Sequence, residues 1–188
     1  MNKSENSAAS RQQKTRSMIR EALLRLLRKK DYIDISVTDI CNKAGISRGT
    51  FYAYYSNTHQ IIDELFQEAL DNIGNVPLQH VYHLRTCRNC EGALCRFLRN
   101  NKKYQALFLS DALYSQAVQL IVDSLSGDFL KNMKTHSDLP DDLLLALLYY
   151  QISGCMAITK KYITDSEEDW IRIQNEIDSF LCEGFRSV

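Results

Sequence analysis

The sequence predicts an all-α chain with a small helix-turn-helix head at its N-terminal end and a larger helical body after it. Three observations carry that prediction. Apolar residues recur at i, i+3, i+4 and i+7 through most of the chain, and no stretch alternates as a strand would. Only two prolines, Pro77 and Pro140, punctuate 188 residues. Residues 36–60, SVTDICNKAGISRGTFYAYYSNTHQ, have the punctuation of two short helices joined by a tight turn.

Residues 1–10, MNKSENSAAS, are small and polar and are expected to be a disordered tail. A first helix is expected from Arg11 to Lys29, with Ile19, Ala22, Leu23, Leu26 and Leu27 on one face. Arg28, Lys29 and Lys30 close it with charges that suit a helix C-terminus. Ser36 can cap a second helix, with Asp39 completing a capping box and Val37, Ile40 and Cys41 forming its apolar face. Ala44-Gly45-Ile46 stops that helix, because glycine tolerates the left-handed turn such a stop needs. Ser47 caps a third helix, expected over Arg48 to Tyr55. One cation, several hydroxyls and three tyrosines suit a helix lying in the major groove of a duplex. A purely structural hairpin would use the same turn, with Phe51 and Tyr55 packed inward in either case. A fourth helix is expected over Thr58 to Asn72, and Gly74-Asn75-Val76-Pro77 ends it. The expected division is therefore a tail at 1–10, a head with its connecting helix at 11–73 and a body at 74–188.

The body reads as helices over Glu91–Arg99, Lys102–Leu109, Asp111–Lys134 with a break near Gly127, Asp141–Thr164, and Glu167–Arg186. The fourth of these is apolar nearly all round, so it needs neighbours on every side. Ser153, Gly154 and Ala157 would let another backbone come close. The last is expected to bury Trp170, Ile173, Ile177, Phe180, Leu181 and Phe185. Two such helices at the end of a chain suggest a four-helix bundle shared by two subunits.

Charge divides the chain the same way. Residues 1–60 carry eleven Lys/Arg against five Asp/Glu, and residues 61–188 carry twelve against eighteen. A basic end beside an acidic remainder fits nucleic-acid binding at one end only. The first twenty residues are polar rather than apolar, and the longest apolar run, Leu143 to Tyr150, is eight residues. That is well short of the roughly 18–20 a bilayer span requires. A soluble cytoplasmic protein with reduced thiols is the expectation. No Gly-rich phosphate loop, nucleophile elbow or paired catalytic carboxylate is present, so no catalytic residue is assigned and an enzyme is not expected.

His80, His83, Cys87, Cys90 and Cys95 crowd into sixteen residues. A Cys-x2-Cys pair with a nearby histidine can hold zinc, and the same pair can form a reversible disulfide. The plainer reading is a buried Cys95, surface histidines and chance spacing. On it the chain needs no cofactor, and a metal- or thiol-responsive regulator stands as the alternative.

Ile19 to Leu23, Ser36 to Cys41 and Ala44 to Tyr52, followed by the leading turn of the fourth helix, resemble the DNA-binding domain of the TetR/AcrR family of transcriptional regulators. The resemblance covers residues 15–65, and one position departs from it: Thr58 stands where the family usually has a phosphate-contacting lysine. It implies a homodimeric repressor, joined through the last two helices, that reads an inverted-repeat operator in double-stranded DNA. A small-molecule effector would release it. Carried over to matching positions, Arg48 meets a base and Gly49 lets the backbone approach the groove. Thr50, Tyr52 and Tyr54 would then hold phosphates through their hydroxyls, Ser36 or Thr38 could do so from the second helix, and Thr58 can still donate a hydrogen bond there without the lysine's charge. Tyr104, Phe108, Tyr114, Phe129 and Tyr149 are the aromatic candidates for lining an effector pocket.

Overall fold

The computed structural model describes residues 3–74, 93–135 and 137–186. Among them the apolar periodicity becomes nine α-helices and one 3-10 turn, with no strand. They are α1 (Lys3–Leu27), α2 (Val37–Ala44), α3 (Arg48–Tyr52), α4 (Thr58–Gly74), α5 (Ala93–Asn100), α6 (Lys102–Phe108), α7 (Tyr114–Met133), α8 (Asp141–Tyr162) and α9 (Glu167–Arg186). The 3-10 turn, Tyr32–Asp34, links α1 to α2.

The chain separates into two compact units. The head comprises residues 1–68 together with 106–113, and the body takes 69–105 and 114–188. The division thus falls inside α4, where the sequence predicts a boundary just after it. In the head, α1 packs on α2, and the buried side chains are Ile19, Leu23, Leu24 and Leu27 of α1, Ile40 and Cys41 of α2, Phe51 of α3, and Ile61, Ile62, Leu65 and Phe66 of α4. Phe108 joins this core, its ring edge-on to Phe66 at 5.1 Å between centroids. In the body, Val118, Ile121, Leu125 and Phe129 line the buried side of α7, which packs against Leu144, Leu148, Ile152 and Met156 of α8. By length and composition α8 is apolar enough to cross a bilayer. Its i, i+4 stripe is nevertheless buried on α7, as in a helix at the core of a protein.

Several boundaries differ from the sequence expectation. Helix α1 begins at Lys3 rather than near Arg11, within the stretch expected to be a tail. Lys3 to Arg11 contains no glycine or proline and includes Ala8 and Ala9, the best helix former twice over. Helix α7 runs through Gly127 without a break, because one interior glycine weakens a helix by only about 1 kcal/mol. Helix α9 keeps its expected bounds, but among its described side chains only Trp170 is buried, while Ile173, Ile177 and Leu181 are half-buried. Phe180 is 67% exposed in the single chain, so its expected burial is not found. The side chain of Phe185 lies outside the described residues.

One arginine closes the body's last turn. Arg99 on α5 is 14% exposed and stacks its guanidinium over Trp170 at 4.9 Å. It donates to the carbonyls of Ile163 and Asp165 at 3.4 and 2.8 Å and pairs with Glu167 at 3.1 Å. The carbonyls left unbonded after α8 thereby find a donor, and α9 is held where it begins.

Candidate nucleic-acid interface

The helix-turn-helix is fixed by local polar groups. The hydroxyl of Ser36 accepts from the Asp39 amide at 3.1 Å, and the Asp39 carboxylate accepts from the Ser36 amide at 2.9 Å. The same carboxylate accepts from the Ser36 hydroxyl at 2.7 Å and from Lys30 at 2.9 Å. These Ser36 bonds, with Lys30 beside them, hold the Asp39 carboxyl well below the usual carboxylate range. Gly45 ends α2 at φ 69° and ψ 36°, the left-handed geometry its position requires. Ser47 then caps α3, accepting from the Thr50 amide at 3.0 Å and sharing a hydrogen bond with the Thr50 hydroxyl at 2.9 Å.

Helix α3 ends at Tyr52, where the sequence predicts an eight-residue helix to Tyr55. The amides of Tyr54 and Tyr55 both turn back to the Phe51 carbonyl, and this tightening swings Tyr55 into the core. There the Tyr55 hydroxyl donates to Glu64 on α4 at 2.7 Å. Burial, followed by the Glu64 hydrogen bond, raises its pKa above the ordinary phenol value. Glu64 also pairs with Arg16, and with Arg20 at 3.6 Å. Arg20 reaches Glu68 at 3.7 Å, and Arg16 lies over the Tyr55 ring at 5.2 Å. One carboxylate thus joins α1, α4 and the exit of α3. Sequence reasoning missed this hub, since its partners lie 9 and 48 residues apart.

The expected contact residues fall into two groups. Arg48, Gly49 and Tyr52 are exposed, Tyr52 to 57%, while Phe51 is wholly buried beneath them. A Cβ on Gly49 would meet only the Ser47 hydroxyl at 3.7 Å, so nothing inside the head demands glycine there. Tyr52 and Tyr54 border an open cleft of about 500 Å³ that also takes in Arg16, Ser56, Gln60 and Glu64. The hydroxyls of the other group already have partners. Ser36 and Thr50 serve the two caps, and Thr58 shares a hydrogen bond with Tyr32 at 2.9 Å. Thr38 accepts from the Arg48 guanidinium.

The aromatic candidates for an effector pocket do not converge as one set. Phe108 belongs to the head core, whereas Tyr104 stacks on Phe97 at 6.1 Å in the body. Tyr114 donates to the Ser153 carbonyl at 2.7 Å and lies near Tyr149, which is 41% exposed. Phe129 is buried on α7. Of the cysteine and histidine cluster, His80, His83, Cys87 and Cys90 lie outside the described residues. Cys95 is buried on α5 with its thiol 4.0 Å from the Cys155 carbonyl. No metal-holding group of three or more His, Cys, Asp or Glu is found among the described residues.

Residues 19–65 match the family model described as bacterial regulatory proteins, tetR family. Over that stretch, which takes in the whole helix-turn-helix, the chain is similar to the DNA-binding region of TetR-family transcriptional regulators. Over 70 residues it is 31% identical to an uncharacterized HTH-type transcriptional regulator, YxbF, of Bacillus subtilis (strain 168). That alignment spans 37% of this chain and only 18% of the relative's length. The TetR fold extends over nearly the whole chain. A TetR transcriptional regulator from Streptococcus agalactiae 2603V superposes with a TM-score of 0.59 at 22% identity, covering 93% of this chain and 98% of that one. The dihydroxyacetone kinase operon activator DhaS does so with a TM-score of 0.52 at 23% identity, covering 92% and 94%. At these identities the two likenesses speak for the fold alone.

Proposed function

We propose that this chain is a TetR-family transcriptional regulator that binds an inverted-repeat operator as a homodimer and represses the adjoining gene until a small molecule binds the body. The observation that carries the reading is α3 itself. Arg48, Gly49 and Tyr52 face outward on a helix whose position is fixed from below by Phe51 and from both ends by caps. Arg48 would read a guanine edge, and Tyr52 and Tyr54 would hold phosphates. Arg16 and Arg20 support the same role by neutralising Glu64, a carboxylate that would otherwise repel the duplex.

Dimerisation is supported by apolar side chains left open on the last two helices. Tyr150 is 67% exposed on α8 and Phe180 equally so on α9, with Leu143 and Ile171 each about half exposed. Two-fold pairing would bury them. The effector contacts proposed in the body are Tyr104, Tyr114 and Tyr149. DhaS carries the name of an operon activator, so the direction of control needs its own measurement.

Selection from a random duplex library with the purified chain tests the reading. An enriched inverted repeat with half-sites one duplex turn apart, about 34–36 Å, is expected. No enrichment from folded dimeric protein would defeat it. Arg48→Ala should weaken discrimination at one base pair by ~1–3 kcal/mol. A reporter behind the recovered operator then gives the sign: expression should rise when the regulator is removed.

A further inference from the structure

We propose that Thr38 is a positioning residue for base reading, whose hydroxyl holds the Arg48 guanidinium in the orientation that α3 presents to the groove. The proposal rests on Arg48 being the base reader. The observation is a hydrogen bond from Arg48 Nη2 to Thr38 Oγ1, between residues ten apart on the two helices of the motif.

An exposed arginine at the start of a helix samples many rotamers, and a fixed acceptor selects among them. Thr38 is such an acceptor. It sits in the first turn of α2, whose start is locked by the Ser36–Asp39 capping box and tied to Lys30. The same helix is anchored from beneath by buried Ile40 and Cys41. β-Branching confines threonine in a helix chiefly to two χ1 rotamers, which narrows where the acceptor can stand. The arrangement leaves the reader competent. A guanidinium has five N–H donors, so one given to Thr38 leaves four, and two suffice for the O6 and N7 edge of guanine. The Thr38 hydroxyl accepts in this bond and keeps its own proton, which can still meet a phosphate. The phosphate role expected of Thr38 and the positioning role are thus compatible, and they predict different losses.

The test is the duplex-library selection repeated with the full-length chain as wild type, Thr38→Val, Thr38→Ser and Arg48→Ala. Valine keeps the branched shape and removes the acceptor. Arg48→Ala should erase preference at one base pair of each half-site. Thr38→Val should weaken preference at that same pair by about three- to tenfold, part of what a bidentate contact provides, and leave the other pairs alone. Thr38→Ser should restore it. In the Arg48→Ala background, Thr38→Val should change no preference further. A uniform loss on all sequences with Thr38→Val makes Thr38 a phosphate contact only and overturns the proposal, as does no change. If Arg48→Ala itself leaves every base preference intact, base reading by Arg48 fails and the positioning role falls with it.

Discussion

Across residues 36–60 almost every start and stop is set by a named polar group, whereas α7 and α8 are held along their length chiefly by burial. Ser36, Asp39, Gly45, Ser47 and Thr50 fix two helices too short to persist alone, since isolated helices below about 12–15 residues are marginal in water. In the body, Leu125, Phe129, Leu148 and Ile152 hold their helices by apolar contact. Polar caps fix where each element begins and how its side chains are aimed, which a reading head needs. Apolar stripes tolerate repacking, which suits a region that would admit a ligand. The contrast predicts that the two regions respond differently to the same size of insult.

The largest effect should come from the body. Leu148→Ala removes a fully buried side chain and should destabilise by about 2–5 kcal/mol, read from urea unfolding followed at Trp170, the chain's one tryptophan. A loss under about 1 kcal/mol would mean that α7 and α8 close over the gap, and that burial matters less there than we argue. Next is Gly45→Ala. Nothing lies within 4 Å of the Cβ it would gain, so the whole cost is backbone strain at φ 69°, about 1–2 kcal/mol. Gly45→Asn should recover much of that loss, because asparagine visits this conformation more readily. Equal losses for alanine and asparagine would show that φ is not the cause. Ser36→Ala should cost about 1 kcal/mol, as loss of an N-cap does. It should also weaken operator binding by more than its effect on stability, because α2 carries the group that holds Arg48.

How much of this was legible in the sequence follows the same contrast. The caps at Ser36 and Ser47 and the stop at Gly45 could be read directly, because each acts on its own neighbours within three or four residues. The early end of α3 could not. The run Ala53-Tyr54-Tyr55 contains no glycine or proline to break a helix. Helix α3 stops there because Tyr55 turns in toward Glu64, a partner on the next helix. Arg48's engagement with Thr38 spans the turn and left no periodic trace. In the body, helices were legible as apolar runs, but not which unit each would join. Tyr104 and Phe108 sit four residues apart on α6, yet one packs in the body and the other in the head.

The sharpest comparison is one capping pair used twice. Ser166 and Asp169 at the start of α9 repeat two bonds of the Ser36–Asp39 arrangement, with the serine hydroxyl donating to the carboxylate at 2.8 Å and accepting from the Asp169 amide at 3.1 Å. In both places the serine hydrogen bonds are the main force lowering the aspartate's pKa. The further partners differ: Asp39 accepts from the Ser36 amide and from Lys30 outside its helix, each at 2.9 Å, whereas Asp169 has Arg172 one turn on at 3.4 Å. A folded pKa below the unfolded one contributes stability that is whole above the unfolded value, near ~4, and is lost as pH falls through the folded value. Both Asp39→Asn and Asp169→Asn should therefore flatten the acid limb of stability, measured by urea titrations between about pH 7 and 3. The effects should be small at these exposed sites, and larger for Asp39. Carboxyl-carbon NMR titration should place the Asp39 midpoint below that of Asp169. The reverse order would mean that the Ser36 amide and Lys30 together add less than Arg172 does, and that the head's cap is no better fixed than its counterpart in the body.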